Sequence, residues 1–303
     1  MRWYKEIPFL MRHFGHRAMW DIALKPRLLR NYSRDEGILS FLERVSKDKL
    51  DELHSVRKQE LRKASEDCNI WVCWFQGEEK MPETIKKCYE SLQRNQGSHN
   101  IILISNDNLN DYVTLPDFII SKHDEGIISN PHFSDIIRCY LLWKYGGIWI
   151  DAAVFVLNGI EVKRTFDTLK FEKEDSINLK WSIAYMVTDK AFCLFRFAYD
   201  YLVEYWQIYD KPIVYLLLDH VFELAYRNNN VIKEIIDEIP LNNEGFHWSR
   251  YHFNDKCDDK VYTELIKNNQ YLSLTWRLPY RTHDENGELT YYGQLLMDFD
   301  RAR

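Results

Sequence analysis

Hydrophobic positions change their spacing twice along the chain. Leu39, Leu42, Val45, Leu50, Leu53, Val56 and Leu61 recur at helical intervals among charges, the pattern of amphipathic helices. From Asn69 the apolar residues gather instead into short continuous runs: Ile70-Trp-Val-Cys-Trp-Phe75, Ile101-Ile-Leu-Ile-Ser105 and Ile148-Trp-Ile150. Runs of this length predict buried strands. Between them, Met81-Pro82-Glu83-Thr84 opens a helix whose inner face is Ile85, Cys88, Tyr89 and Leu92. Leu109–Val113 reads as a helical turn, and Pro116 interrupts the chain before Phe118-Ile-Ile120. Strands alternating with helices predict an α/β fold with a mostly parallel sheet flanked by helices. Ligands of such sheets gather at the carboxyl ends of the strands, where Trp74-Phe75-Gln76-Gly77 and Asp151 lie.

Beyond residue 160 the alternation stops. Leu194–Tyr209 and Pro212–Arg227 predict two long aromatic-rich helices, the second ended by Asn228-Asn-Asn230. Val231–Ile239 predicts a further short helix, Leu272-Ser-Leu-Thr-Trp276 a late strand, and Arg281–Gly287 a polar loop. Residues 1–66 are expected to form an N-terminal helical arm packed on the body, and residues 67–303 the main domain.

One stretch concentrates the chemistry. Asn130 as N-cap and Pro131 at the first helical position open a helix with Ile137, Tyr140, Leu141 and Lys144-Tyr145 along one face. Gly146-Gly147 ends it, since a positive-φ position is cheapest for glycine. A buried strand then delivers Asp151. Asp135 and Arg138, three residues apart, share a helix face. A helix start, an arginine and a strand-end acid suit a phosphorylated ligand and a cation; the plainer reading of Asp135–Arg138 is an ordinary surface ion pair.

Composition narrows the options. Hydrophobic residues make up 46% of the 303, enough for a full core and against global disorder. The net charge of −6 is uneven: residues 1–34 hold eight Lys/Arg and two acids, +6, which leaves −12 for the other 269. A nucleic-acid binder carries its basic charge across the folded body, so nucleic acid is not an expected partner. A basic, aromatic N-terminus, with Ile7, Phe9, Leu10, Phe14, Met19 and Trp20 among Arg and His, points instead to attraction toward an anionic membrane surface. The six cysteines form no Cys-x-x-Cys pair, and Cys73, Cys88 and Cys139 fall on predicted core elements, which argues for a reducing compartment. With neither a secretory signal nor an apolar run of eighteen, the expected location is cytoplasmic, peripheral on the inner membrane face. The absence of Gly-x-Gly-x-x-Gly and of a phosphate-loop lysine sets dinucleotide and P-loop folds aside.

Ser134-Asp135-x-x-Arg138 followed by Gly146-Gly147-x-Trp149-x-Asp151 resembles the nucleotide-sugar motif of glycosyltransferase family 32-like enzymes, nearest to bacterial capsular polysaccharide synthesis proteins and more distantly to the large clostridial toxin glucosyltransferases. The resemblance is good over residues 69–160, loose over the C-terminal half and slight in the arm. It implies a GT-A fold with a nucleotide-sugar half at 67–160 and an acceptor half at 161–303. It also implies a donor site in which Asp135 and Arg138 contact the ribose and phosphate end beside Ser134, and Trp74 stacks on the nucleobase. Trp149 belongs to the same motif. Asp151 holds the ribose and, directly or through water, a divalent cation, Mn²⁺ or Mg²⁺. The family pattern ends Asp-x-Asp, whereas here the second acid is Ala153; members of the capsular subgroup often read Asp-Ala-Thr at this point. Trp74 reads equally as a core residue.

Three further candidates come from the residues themselves. Asp219-His220 lies inside a predicted helix, where a buried Asp orients an acceptor hydroxyl or an exposed one simply faces water. Trp276-Arg277 closes over a departing diphosphate or sits on an edge strand. His247, Trp248 and His283-Asp284 carry weaker signals, the last as a source of a metal ligand. Asp151, Asp219 and Arg277 are thus the catalytic candidates. The resemblance implies transfer of a sugar from a nucleotide donor, UDP-linked, with retention of configuration. The expected acceptor is a lipid-linked oligosaccharide or other glycan precursor of a surface polysaccharide. A degenerate nucleotide- or glycan-binding protein and a sugar-phosphate transferase are the alternatives.

Overall fold

Five strands make the central sheet, in the order β2-β1-β3-β6-β5. The computed structural model describes residues 6–29, 33–62, 65, 67–171 and 181–301. Arg2, Lys5 and Arg30 of the basic N-terminal set lie outside these residues.

The arm contains α1 (Ile7–Met19), a π-helical turn (Trp20–Leu24), α2 (Lys25–Leu28), α3 (Arg34–Val45) and α4 (Lys47–Ser55). Of the amphipathic positions, Leu39, Leu42, Leu50 and Leu53 are buried. The sheet begins with β1 (Asn69–Cys73), followed by α5 (Glu83–Asn95), β2 (Asn100–Ile104), α6 (Leu109–Tyr112) and α7 (Asp117–Asp124). Pro116 does not merely interrupt the chain: it caps α7, which carries Phe118–Ile120. Then come α8 (Asn130–Tyr145), β3 (Gly147–Ile150) and β4 (Val154–Val156).

β1 pairs in parallel with both β2 and β3, as expected of alternating strands and helices. The parallel run ends there. β5 (Phe166–Lys170) and β6 (Trp181–Thr188) complete the sheet antiparallel, β6 against β3. The sheet is therefore mixed, its second part drawn from residues 166–188, outside the strands named above from the sequence. Alternate residues feed opposite faces. Ile70, Val72, Ile148 and Ile150 pack with Ile85, Tyr89 and Leu92 of α5. Trp71 and Trp149 join the other layer, with α8, α9 (Cys193–Ile208) and α10 (Leu217–Asn228). Both faces are covered, so the strands read as unbroken apolar runs.

Leu10, Ile22, Ile38, Leu42 and Leu53 of the arm belong to that same apolar layer, so the arm packs directly on α9 and α10. Three polar ties add to this: Asn229 Nδ2 donates to the Leu53 and Val56 carbonyls, Arg227 pairs with Glu36, and His220 Nε2 lies 3.4 Å from Asp35 Oδ1. The second long helix is shorter than its apolar pattern suggests. Lys211–Leu216 form a loop and α10 starts at Leu217. The chain continues through α11 (Asn230–Asp237), α12 (Trp248–His252) and α13 (Asp259–Asn268) to β7 (Tyr271–Ser273), which pairs with β4, and ends in α14 (Tyr291–Arg301). The late strand thus stops at Ser273, and Trp276 falls on a turn. Among the described residues no helix is long and apolar enough to cross a membrane.

Candidate functional site

The central helix α8 starts one residue earlier than its Asn-Pro pair suggests. Ser129, extended at φ −73° and ψ 158°, is the N-cap, and its hydroxyl bonds His132 Nδ1 at 2.9 Å rather than a backbone amide. The helix is not amphipathic: Phe133, Ile136, Ile137, Cys139, Tyr140, Leu141 and Leu142 are all buried, because α8 lies between the sheet and α9. Such a position makes a surface ion pair impossible. Arg138 is 5% exposed and Asp135 9%.

At the other end of α8, Gly146 and Gly147 have φ of +67° and +94°. A Cβ on Gly147 would stand 2.5 Å from the Asn69 carbonyl oxygen, so only glycine lets the chain pass β1 into β3. Trp71 Nε1 secures the turn by donating to the Gly146 carbonyl at 2.9 Å. Asp151 then emerges where β3 ends, its amide bonded to the Ala184 carbonyl of β6 at 2.8 Å.

Arg138 joins these parts. Its Nη2 lies 3.2 Å from Asp135 Oδ1 and 3.1 Å from Asp151 Oδ1, and its Nη1 donates to the Ile183 carbonyl at 2.8 Å. The guanidinium carbon sits 4.8 Å from the Trp149 ring centroid, and Trp149 Nε1 donates to Asp151 Oδ1 at 2.7 Å. Helix α8, the end of β3 and the neighbouring strand β6 therefore converge on one guanidinium. Arg138 Nε is buried without a hydrogen-bond partner. Ser134 hydrogen-bonds the Cys73 thiol, whose pKa burial raises to about 12, so this cysteine is no nucleophile at neutral pH.

Around this cluster opens a cleft of about 1160 Å³. Trp74, Ser134, Asp135, Arg138, Trp149, Asp151, Asp219, Trp276 and Arg277 all line it, so the structure brings together every residue singled out for the donor and for catalysis. Asp219 is 5% exposed, on the first turn of α10, and its Oδ2 is buried without a hydrogen-bond partner. It is thus an inward-facing acid. Burial raises Asp135 to about 7, against the opposing pull of Arg138, and raises Asp219 to about 6 for the same reason. Trp74 is half-buried with its Nε1 unpartnered. Trp276 is exposed on the turn after β7, with the Arg277 guanidinium 5.6 Å from its ring.

His247 also lines the cleft, whereas Trp248 stacks on His252 instead. His283 is exposed and bonds Thr282, and Asp284 accepts the Asn286 and Glu288 amides, so this pair serves its own loop outside the cleft lining. Sequence reasoning missed Ile183 and Ala184 on β6, Tyr215 before α10, and Arg250-Tyr251 on α12. The run Trp181-Ser-Ile-Ala-Tyr-Met-Val-Thr188 carries a strand signal for the first two; no local signal marks the others.

For a divalent cation the floor offers little. Ala153 occupies the second acidic position, and Asp151 Oδ1 already accepts from Arg138 and Trp149. Among the described residues no three of His, Cys, Asp and Glu gather to hold a metal. What remains is one partly exposed carboxylate, a donor set that fits only a cation whose other ligands are phosphate oxygens and water.

A stretch of 104 residues is 30% identical to the O-glycosyltransferase braB of Annulohypoxylon truncatum, taking in 31% of this chain and 25% of that protein. The chain thus matches about a quarter of that relative's length. The profile of the capsular polysaccharide synthesis protein family matches residues 24–295, from within the arm to the last helix and across the whole cleft. With its motif helix, glycine turn and strand-end acid all inside that match, the chain belongs to the capsular polysaccharide synthesis protein family.

Proposed function

We propose that this protein is a glycosyltransferase that moves a sugar from a nucleotide donor, UDP-linked, to a glycan precursor of a surface polysaccharide, with retention of configuration. The observation that carries this reading is the convergence of Asp135, Trp149 and Asp151 on the buried Arg138 at the floor of one large cleft. In this reading Asp135 and Asp151 accept hydroxyls of the donor. Arg138 fixes both acids and faces the phosphates, and Trp74 stacks on the base. Arg277, on the turn at the cleft mouth, offsets the charge of the departing diphosphate. Asp219 orients an acceptor hydroxyl. Asp151 would hold a divalent cation, Mn²⁺ or Mg²⁺, brought in with the diphosphate, and that cation would supply charge screening for the departing group.

The arm supplies the membrane contact: Phe9, Met11, Trp20, Leu28 and Leu29 are exposed alongside Arg12 and Arg17. A lipid-linked acceptor gives that contact a purpose.

The test is donor turnover. Purified protein is incubated with a panel of nucleotide sugars and Mn²⁺, Mg²⁺ or EDTA, and released nucleotide diphosphate is measured beside Asp151→Ala. Metal-dependent hydrolysis of one donor, lost in the variant, is expected. Release of nucleotide monophosphate would instead indicate sugar-phosphate transfer. Binding without turnover, with acceptor supplied, would make the chain a degenerate binder, and binding of no donor at all would end the reading. Titrated without nucleotide, Mn²⁺ should show no measurable affinity, because one carboxylate is its only protein ligand; tight binding to the nucleotide-free chain would contradict entry on the diphosphate.

A further inference from the structure

The mouth of the cleft is built differently from its floor. Below, three acids surround Arg138. Above, the lining is cationic and aromatic: Tyr215 in the loop before α10, Arg250-Tyr251 on α12, and Trp276-Arg277 after β7. Tyr215 is 60% exposed, Tyr251 69% and Trp276 53%, so three large rings stand open to solvent around one opening. A pyranose has a flat C–H face edged by hydroxyls, and open ring faces beside polar groups suit it.

Arg250 adds a charge requirement. It is half-buried, and among the described residues no carboxylate pairs with it. Its backbone is held, the amide donating to the His247 carbonyl at 3.2 Å and the carbonyl accepting the Tyr280 hydroxyl at 3.1 Å. The planar fork of an arginine matches carboxylate or phosphate oxygens. The cleft, at about 1160 Å³, also exceeds the 300–1000 Å³ or so that one small ligand fills, so a second ligand has room.

We propose that the mouth is an acceptor subsite for an acidic saccharide, whose ring stacks on Tyr251 and Tyr215 and whose phosphate or carboxylate pairs with Arg250. This rests on the reading that the donor occupies the floor, since that leaves the mouth for the second substrate. The acceptor class is thereby narrowed to glycans carrying an anion on or next to the sugar that receives the transfer.

The experiment is ligand-observed NMR on the full chain with UDP filling the floor, using glucose 1-phosphate, methyl β-glucuronide and neutral methyl β-glucoside as probes. At least one charged probe should bind tenfold or more tighter than the glucoside, and which one does so names the anion. Arg250→Gln should erase that preference, Arg250→Lys should keep part of it, and Tyr251→Ala should weaken all probes severalfold. UDP affinity, read by tryptophan fluorescence, should be the same in wild type and all three variants, which also reports that they are folded. Equal binding of charged and neutral probes, or binding of none, overturns the subsite, as does loss of UDP binding in Arg250→Gln. If wild type fails to bind UDP, the donor reading fails instead, and the probes titrated alone still decide whether an anion-selective saccharide site exists.

Discussion

At the scale of single residues, the cleft floor is a problem of protons. Asp135 is held at about 7 by burial, well above the roughly 3.9 of an exposed aspartate. Between those values the native state keeps a proton that the unfolded chain has released, so stability falls as pH rises through the window and the loss is complete above 7. Asp219, at about 6, acts in the same direction over a narrower range. Asp135→Asn removes the titration while keeping an oxygen for Arg138. Its urea midpoint should therefore fall less steeply than wild type between pH 5 and 7.5, and equal slopes would place the titrating group elsewhere. The Asp-x-x-Arg spacing by itself puts both side chains on one helix face. That the pair is buried is not legible from it, because burial of α8 depends on α9, more than fifty residues later in the chain. Arg250 and Tyr251 escape for a related reason: they reach the cleft only because the Phe246 carbonyl accepts the Ser273 amide of β7 and so draws α12 to the site.

At the scale of elements, the glycine turn between α8 and β3 is the joint that sets the site. Gly147→Ala forces a side chain onto φ +94° and against the Asn69 carbonyl, which should cost about 3 kcal/mol. Urea unfolding measures this directly, and a change within about 0.5 kcal/mol, as for an ordinary surface substitution, would show that the strands separate easily. The three parallel strands, α5 and the glycine stop are readable because each is specified locally, by an apolar run or a helical period bounded by Gly, Pro or Asn. β5 is not, because Phe166-Asp-Thr-Leu-Lys170 is short and mixed and gains its meaning only by pairing with β6. The expected mostly parallel sheet follows from that omission: seen alone, β1 to β3 are parallel.

At the scale of the whole molecule, the arm has two chemically different sides. Ile38, Leu42 and Leu53, on helices that pack against α9 and α10, are buried in the apolar layer, neighbours that no local pattern marks, while Phe9, Met11, Trp20, Leu28 and Leu29 face water. Vesicles containing anionic phospholipid should sediment the protein at low salt, neutral vesicles should do so much less, and Trp20→Ala with Arg17→Gln should reduce the bound fraction severalfold. Equal recovery on both vesicle types would remove the electrostatic part of this contact.

The crowding of acids around one guanidinium also bears on how fast a nucleotide arrives. Apart from its first 34 residues, the chain carries −12, and the floor adds no compensating positive field, since Arg138 is already committed to Asp135 and Asp151. On the proposed reading, an incoming diphosphate therefore diffuses uphill toward the floor. Salt shortens the reach of that repulsion, from about 30 Å at 0.01 M to about 8 Å at 0.15 M. The association rate of UDP, followed by stopped-flow fluorescence, should accordingly rise with ionic strength, opposite to the behaviour of proteins that steer phosphates in with a basic surface. A rate that fell with salt would mean that the rim arginines, not the body, govern the approach.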